Sequence, residues 1–260
     1  DTDRSRGLGD VYKRQFDNYR RIYEAYKTPE NYYLSKYDID EHFGGDSIYD
    51  KTRHYSLRNT LAIAMLEGFN KWAKAGLKVF ATSELRHFAM PALNGGTDSY
   101  NEHNLSIGGQ LIKTEGKAFH YNATAEAWLT GEDAGQLKVD GNADLNFKLF
   151  GDTVQLAAKA YFYRLNPTFF YRHYHSKHLW WDNDLSKETR TKIEGIFSLR
   201  KTKTTLRVAV DNISNYTYFA QKYNITENFG RTGTTVNVKQ HSDNTVSYTH
   251  LRAHETDQYL

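Results

Sequence analysis

Strict alternation of apolar and polar residues constrains this chain more than any other feature. From Leu137 to Leu149 one face reads Leu137, Val139, Gly141, Ala143, Leu145, Phe147 and Leu149. The other reads Lys138, Asp140, Asn142, Asp144, Asn146 and Lys148. A period of two is the pattern of a strand with one dry and one wet face, and no helical spacing fits it. The scheme recurs on both sides. Phe119 to Leu129 and Val154 to Tyr163 alternate in the same way, as do Asn104 to Leu111, Lys74 to Ala81, Arg190 to Leu199 and Leu206 to Asp211. Leu57 to Leu66 is a weaker example, with Leu61, Ile63 and Met65 on one side. These segments predict eight strands, and a ninth is expected to begin near Thr234.

Composition agrees with strands. Tyr (20) and Phe (14) are abundant while Pro (3) is scarce, the balance that favours sheet over helix. Without cysteine there is no disulfide framework, thiolate metal site or thiol nucleophile. The longest apolar run, Leu61 to Leu66, falls far short of the roughly 20 residues of a membrane helix. A membrane β-strand needs only about 9–11 residues, half of them polar. The formal charge of +3 comes from interleaved acids and bases, so no nucleic-acid footprint is expected.

The connections add a second pattern. Short turns at Glu67–Asn70, Thr114–Gly116, Phe150–Asp152 and Arg200–Lys203 alternate with longer segments. Those longer segments are Ser83 to Glu102, Thr130 to Gln136, Leu165 to Glu188 and Ser214 to Gly233, with Phe16 to Ser56 read as a further outer loop. Outer-membrane barrels have short periplasmic turns and longer outer loops. A soluble lipocalin-like barrel shows the same alternation with its faces reversed. Strand length, loop segregation and aromatics near strand ends (Phe69, Trp72, Phe147, Phe150, Tyr161 to Tyr163) favour the membrane form. The expected fold is all-β: an antiparallel up-and-down transmembrane β-barrel, partial, with eight or nine strands of a larger barrel.

Both ends differ from the middle. Asp1 to Gln15 and Val246 to Leu260 share no pattern with residues 16–245 and resemble translated sequencing-adapter readthrough. They are expected to be artefactual or disordered, leaving 16–245 as the barrel segment.

On the expected wet face stand Lys74, Lys78, Glu126, Lys138, Asp140, Asp144, Lys148, Lys159, Arg190, Lys192, Glu194 and Arg207. In a pore such side chains sit in water and bias which ions enter, and the excess of Lys hints at anion preference. Tyr171, His173, His175, His178, Trp180 and Trp181 form a dense patch in one long segment. Three histidines at short spacing are a metal motif only with further ligands, and no Cys or carboxylate is interleaved here. The Asn-x-Ser/Thr triplets at Asn104, Asn122, Asn212, Asn215 and Asn224 are read as a by-product of composition. The chain has no phosphate-binding glycine loop, no HExxH and no GxSxG. Asp140 and Asp144 share a strand face and are read as wall charge, so neither an enzyme nor a cofactor is expected.

Two stretches carry a resemblance. RNTLAIAMLEGFNKWAKAGLKVFATSELRHF (Arg58 to Phe88) and LWWDNDLSKETRTKIEGIFSLRKTKTTLRVAVDNISNYTYF (Leu179 to Phe219) resemble the putative porin family of Bacteroidetes-type bacteria. The resemblance runs from about Phe16 to Asn244 and implies an outer-membrane location and passive diffusion of small hydrophilic solutes. It also implies contact with outer-membrane lipid, and is compatible with a homo-oligomer of the full-length barrel. The strand, Asn-rich turn and aromatics of Val210 to Phe219 also occur in TonB-dependent receptor barrels, which remain the alternative, ahead of a soluble barrel that binds ligands.

Overall fold

Each of the eight alternating segments overlaps a strand of the computed structural model, which describes residues 8–29, 32, 43, 45–67, 75–149, 151–199, 201–225 and 231–253. In chain order these are β1 (Leu8–Ala25), β2 (Ile48–Met65), β3 (Gly76–Pro91), β4 (Thr97–Lys113), β5 (Phe119–Thr130), β6 (Leu137–Leu149) and β7 (Asp152–Leu165). A one-turn helix α1 (Phe169–Arg172) and a small hairpin of β8 (His173–His175) and β9 (Trp180–Asp182) follow. The chain then runs through β10 (Glu188–Leu199), β11 (Thr204–Ile225) and β12 (Arg231–Ala253). Ten strands form one antiparallel sheet in the order β1-β2-β3-β4-β5-β6-β7-β10-β11-β12. Every strand pairs with its neighbour in sequence, except that β10 pairs with β7 across the inserted helix and hairpin.

Register sorts the side chains, because directly paired residues point to the same side. One row runs Lys78, Gln110, Thr124, Asp140, Tyr161, Lys192 and Asp211 across β3 to β11. A row of the opposite parity runs Leu111, Ala123, Gly141, Ala160, Ile193 and Val210 across β4 to β11. Leu61, Ile63, Val79, Ile107 and Ile193 on that apolar face are all strongly exposed, Ile193 at 63%. On the polar face Thr52, Ser56, Thr82, Glu102, Asn104, Ser106 and Glu194 are buried. The sheet is inside-out relative to a water-soluble barrel, whose apolar side chains face inward. No helix among the described residues is long and apolar enough to cross a membrane.

The sheet curls around its polar face. The segment between β7 and β10 touches Asp50 of β2, Glu102 of β4 and Gln240 of β12. Strands from opposite ends of the sheet therefore approach one inserted segment.

Several expectations are corrected. The sheet has ten strands instead of eight or nine, because β1 and the start of β2 occupy much of the segment assigned to an outer loop. Ser83 to Glu102 is the hairpin of β3 and β4, closed by the five residues 92–96. Most of Ser214 to Gly233 likewise belongs to β11 and β12. Backbone ladders need no alternation to continue, so strands extend into stretches whose side chains carry no period-two signal. Tyr161 and Tyr163 stack on the polar face at 4.7 Å, where β7 aims them, rather than at an outward girdle. Pairing includes residues on both sides of 16–245: Asp10 faces Ile63 and Ser247 faces Val210. Phe69, Trp72 and Phe150 lie outside the described residues.

Ile193→Arg and Lys192→Ala separate the two faces. The first is expected to cost about 2–4 kcal/mol of folding in lipid vesicles, the penalty of a cation on a lipid-facing barrel position. The second is expected to leave folding intact. Urea titration followed by the heat-dependent gel shift reads both.

Candidate functional site: the polar face and its inward segment

Eleven of the twelve charged residues expected on the wet face are described, and register places all eleven on the same side of the sheet. Lys74 lies outside the described residues. Several of the eleven meet partners. Glu194, almost fully buried, accepts from Arg207 at 2.5 Å and has Lys192 at 4.0 Å. Glu126 accepts from Ser106 at 2.6 Å and faces Arg58 at 3.4 Å. Asp144 pairs with His120 at 2.9 Å, and the Lys138 ammonium lies over the Tyr163 ring. Asp144 is thus engaged away from Asp140, whose cross-strand neighbours are Thr124 and Tyr161. Cross-strand charge pairs of this kind hold a polar face in register.

Across this face lies the segment 166–187. Its first anchor is a buried chain of ions: Arg172 to Glu102 at 2.8 Å, Glu102 to Arg86 at 2.9 Å, and Arg86 to Asp133 at 2.5 Å. The turn 131–136 carries Asp133 into place. Asn104 Oδ1 accepts from the Asp133 N–H at 3.0 Å, and Gln136 donates to the Asp133 carboxylate at 2.6 Å. Gly131 permits that turn: its φ is +89°, and a Cβ there would collide with the His103 carbonyl and Asn104. Beside the ions, Phe169 stacks on Phe88 with centroids 3.6 Å apart, and Met90 completes a small dry core.

A second anchor sits at the tip of the hairpin. The buried Lys177 ammonium donates to the carbonyls of Gly45 at 2.5 Å and Ser47 at 2.9 Å, while its N–H donates to Asp50 at 3.1 Å. The β8–β9 hairpin is clamped by Asp182, which accepts from His173 at 2.7 Å and from His175 at 2.9 Å. Trp180 lies flat on His175 at 3.8 Å. Burial pushes the Asp182 carboxyl up, but the hydrogen bonds from the two histidines outweigh it and hold the group below its ordinary value. The histidine-rich patch thus resolves into a carboxylate clamp. No group of three or more His, Cys, Asp or Glu among the described residues is arranged to hold a metal ion.

Between the segment and the wall lies a cleft of about 560 Å³ lined by Arg58, Arg86, Arg172 and Lys138, by Glu84, Glu126 and Asp133, and by Trp128 and Phe88. Closely spaced charges of both signs therefore line this cleft.

Sequence reasoning grouped the charged residues that share the polar face but missed Arg86, Glu102, Asp133, Arg172 and Lys177, which hold the inward segment. One signal was available for Arg86: it shares the parity of Lys78 and Thr82 along β3. The contacts of Arg172 and Lys177 join residues 70 and 127 positions apart, and no local pattern encodes them.

A family model described as putative porin matches residues 11–258 of this chain. No curated protein and no solved structure matches it.

Two outcomes are expected at the anchors. Arg172→Met should cost about 3 kcal/mol, the low end for removing one partner of a buried pair, because Arg86 still faces Glu102. Limited proteolysis should then cut within 166–187 while the sheet stays intact. The Asp182 clamp is acid-sensitive. Its folded carboxyl lies below the ordinary value, so its contribution is complete above that value and is lost as pH falls through the lowered one. Proteolysis across an acid titration should show the hairpin loosening, and Asp182→Asn should be loose already at neutral pH.

Proposed function

The chain belongs to the putative porin family, and on that premise we propose that its curled sheet is wall of an outer-membrane β-barrel through which small hydrophilic solutes diffuse passively. The family is one of channels rather than enzymes, and its setting is the outer membrane. The observation that carries the proposal is the inverted sheet: exposed Leu, Ile and Val on one face, paired ions and buried polar groups on the other. Hydrocarbon receives the first face at no cost, and water in a lumen solvates the second. A soluble ligand-binding barrel requires the opposite arrangement. The receptor-barrel alternative is not favoured by the family match.

On this reading the eleven wall residues from Lys78 to Arg207 line the pore, and the segment 166–187 narrows it. Lys138, Lys159, Lys192 and Arg190 tilt the wall toward anions. Transport needs no cofactor, since the gradient of the solute drives it.

Reconstitution into planar bilayers tests this directly. Stepwise conductance in potassium chloride is expected, together with liposome swelling that slows as the sugar grows. Lys159→Glu combined with Lys192→Glu should shift the zero-current potential toward cations. Folded, heat-modifiable protein that conducts nothing and passes no sugar would overturn the proposal.

A further inference from the structure

Phe219 and Tyr19 stand on the polar face, yet about half of each is exposed, 54% and 51%. On the lipid-facing side such exposure has a ready solvent. On the wet side it leaves aromatic surface in water, which is the mark of a binding site. Both border a cleft of about 480 Å³ between the inward segment and the strands at the two ends of the sheet, within the roughly 300–1,000 Å³ of small-molecule sites. Phe170 stands between this cleft and the ion-lined one beside Arg172 and borders both.

Its construction is that of a prepared aromatic surface. Trp181 is 6% exposed and donates its indole N–H to the Phe170 carbonyl at 3.1 Å, so its ring is fixed. Tyr174 stacks on it at 5.0 Å and Phe219 leans on it at 5.8 Å. Arg21, Thr52 and Gln221 border the same space. Arg21 and Thr52 are directly paired across β1 and β2, and Gln221 projects from β11. Aromatic faces and a rim of hydrogen-bonding groups therefore meet in one cleft.

We infer that this cleft is a saccharide subsite, which receives a neutral pyranose ring. A pyranose has faces of C–H groups and a rim of hydroxyls. The electron-rich aromatic face attracts C–H hydrogens, while the guanidinium fork, hydroxyl and amide can donate to or accept from the rim. Arg21 is the single charged side chain among the residues bordering the cleft, whose lining is otherwise aromatic, apolar or neutral polar, so the cleft favours a neutral ring over an anion. The inference rests on the porin reading and supplies its solute class.

Full-length protein folded in detergent is titrated with maltotriose, cellotriose and trigalacturonate while tryptophan emission is followed; the same sugars are then added to channels in bilayers. A saturable emission change with a neutral trisaccharide is expected, with brief current blockades. Phe219→Ala should weaken binding about tenfold, as expected for loss of one aromatic face, and Gln221→Ala by a few-fold. Potassium chloride conductance should be unchanged in both. No saturable response to any of the three sugars, or equal affinity in Phe219→Ala, overturns the inference. Preference for trigalacturonate overturns the neutral-ring assignment. A conducting channel that ignores sugars removes the subsite and leaves the porin reading standing; saturable binding without conductance does the reverse.

Discussion

Hydrocarbon offers no partner to a backbone N–H or C=O, so a chain that meets lipid must pair those groups along its own strands. The ten-stranded ladder from β1 to β12 answers that demand, and it leaves the side chains to answer to two different solvents. Neighbouring residues can then live in opposite conditions. Ile193 is 63% exposed while Glu194, the next residue, is 3% exposed and bound to Arg207. In a soluble barrel the costs would be reversed: a wetted isoleucine and a carboxylate facing an apolar core. In a membrane wall each is in its favourable phase.

The sheet alone leaves its polar face open, and the inward segment changes what that face presents. Arg86, Glu102, Asp133 and Arg172 lie close together with little solvent. Burying such ions is expensive, and their mutual attraction roughly offsets the cost. Their value here is placement: one arrangement satisfies all four, and it sets α1 against β3 and β4. Lys177 repeats the device on the other side, bound to the carbonyls ahead of β2. With both attachments made, the aromatic hairpin stands over the polar face at a defined height, and two clefts of different chemistry result. One is lined by ions, the other by rings.

Much of this was legible in the residues, though unevenly. The strands β5, β6 and β7 were readable nearly end to end because each alternates over almost its whole length. The upper parts of β3, β4 and β11 were not, because their side chains pack against the inward segment or stand in water on both faces. Phe88 and Met90 of β3, for example, are buried in the small core around Phe169. Reading them as loops also exaggerated the contrast between short and long connections, since 92–96 and 226–230 are short. Two of the strand connections, 26–47 and 166–187, remain long, and the second carries the site.

What the sequence determined by itself is which residues share a face, because a period of two is a local property of a strand and survives any arrangement of the sheet. Lys78, Lys138, Lys192 and Glu194 could be grouped before any pairing was known. Which of the two faces turns inward, and what lies against it, was decided only by tertiary structure. Alternation is symmetric under exchange of faces, and the sheet's curl breaks that symmetry. The contacts that fill the interior, Arg172 to Glu102 and Lys177 to Asp50, join residues 70 and 127 positions apart. Contacts at that separation depend on where ten strands bring the chain, and no short stretch of residues contains that information.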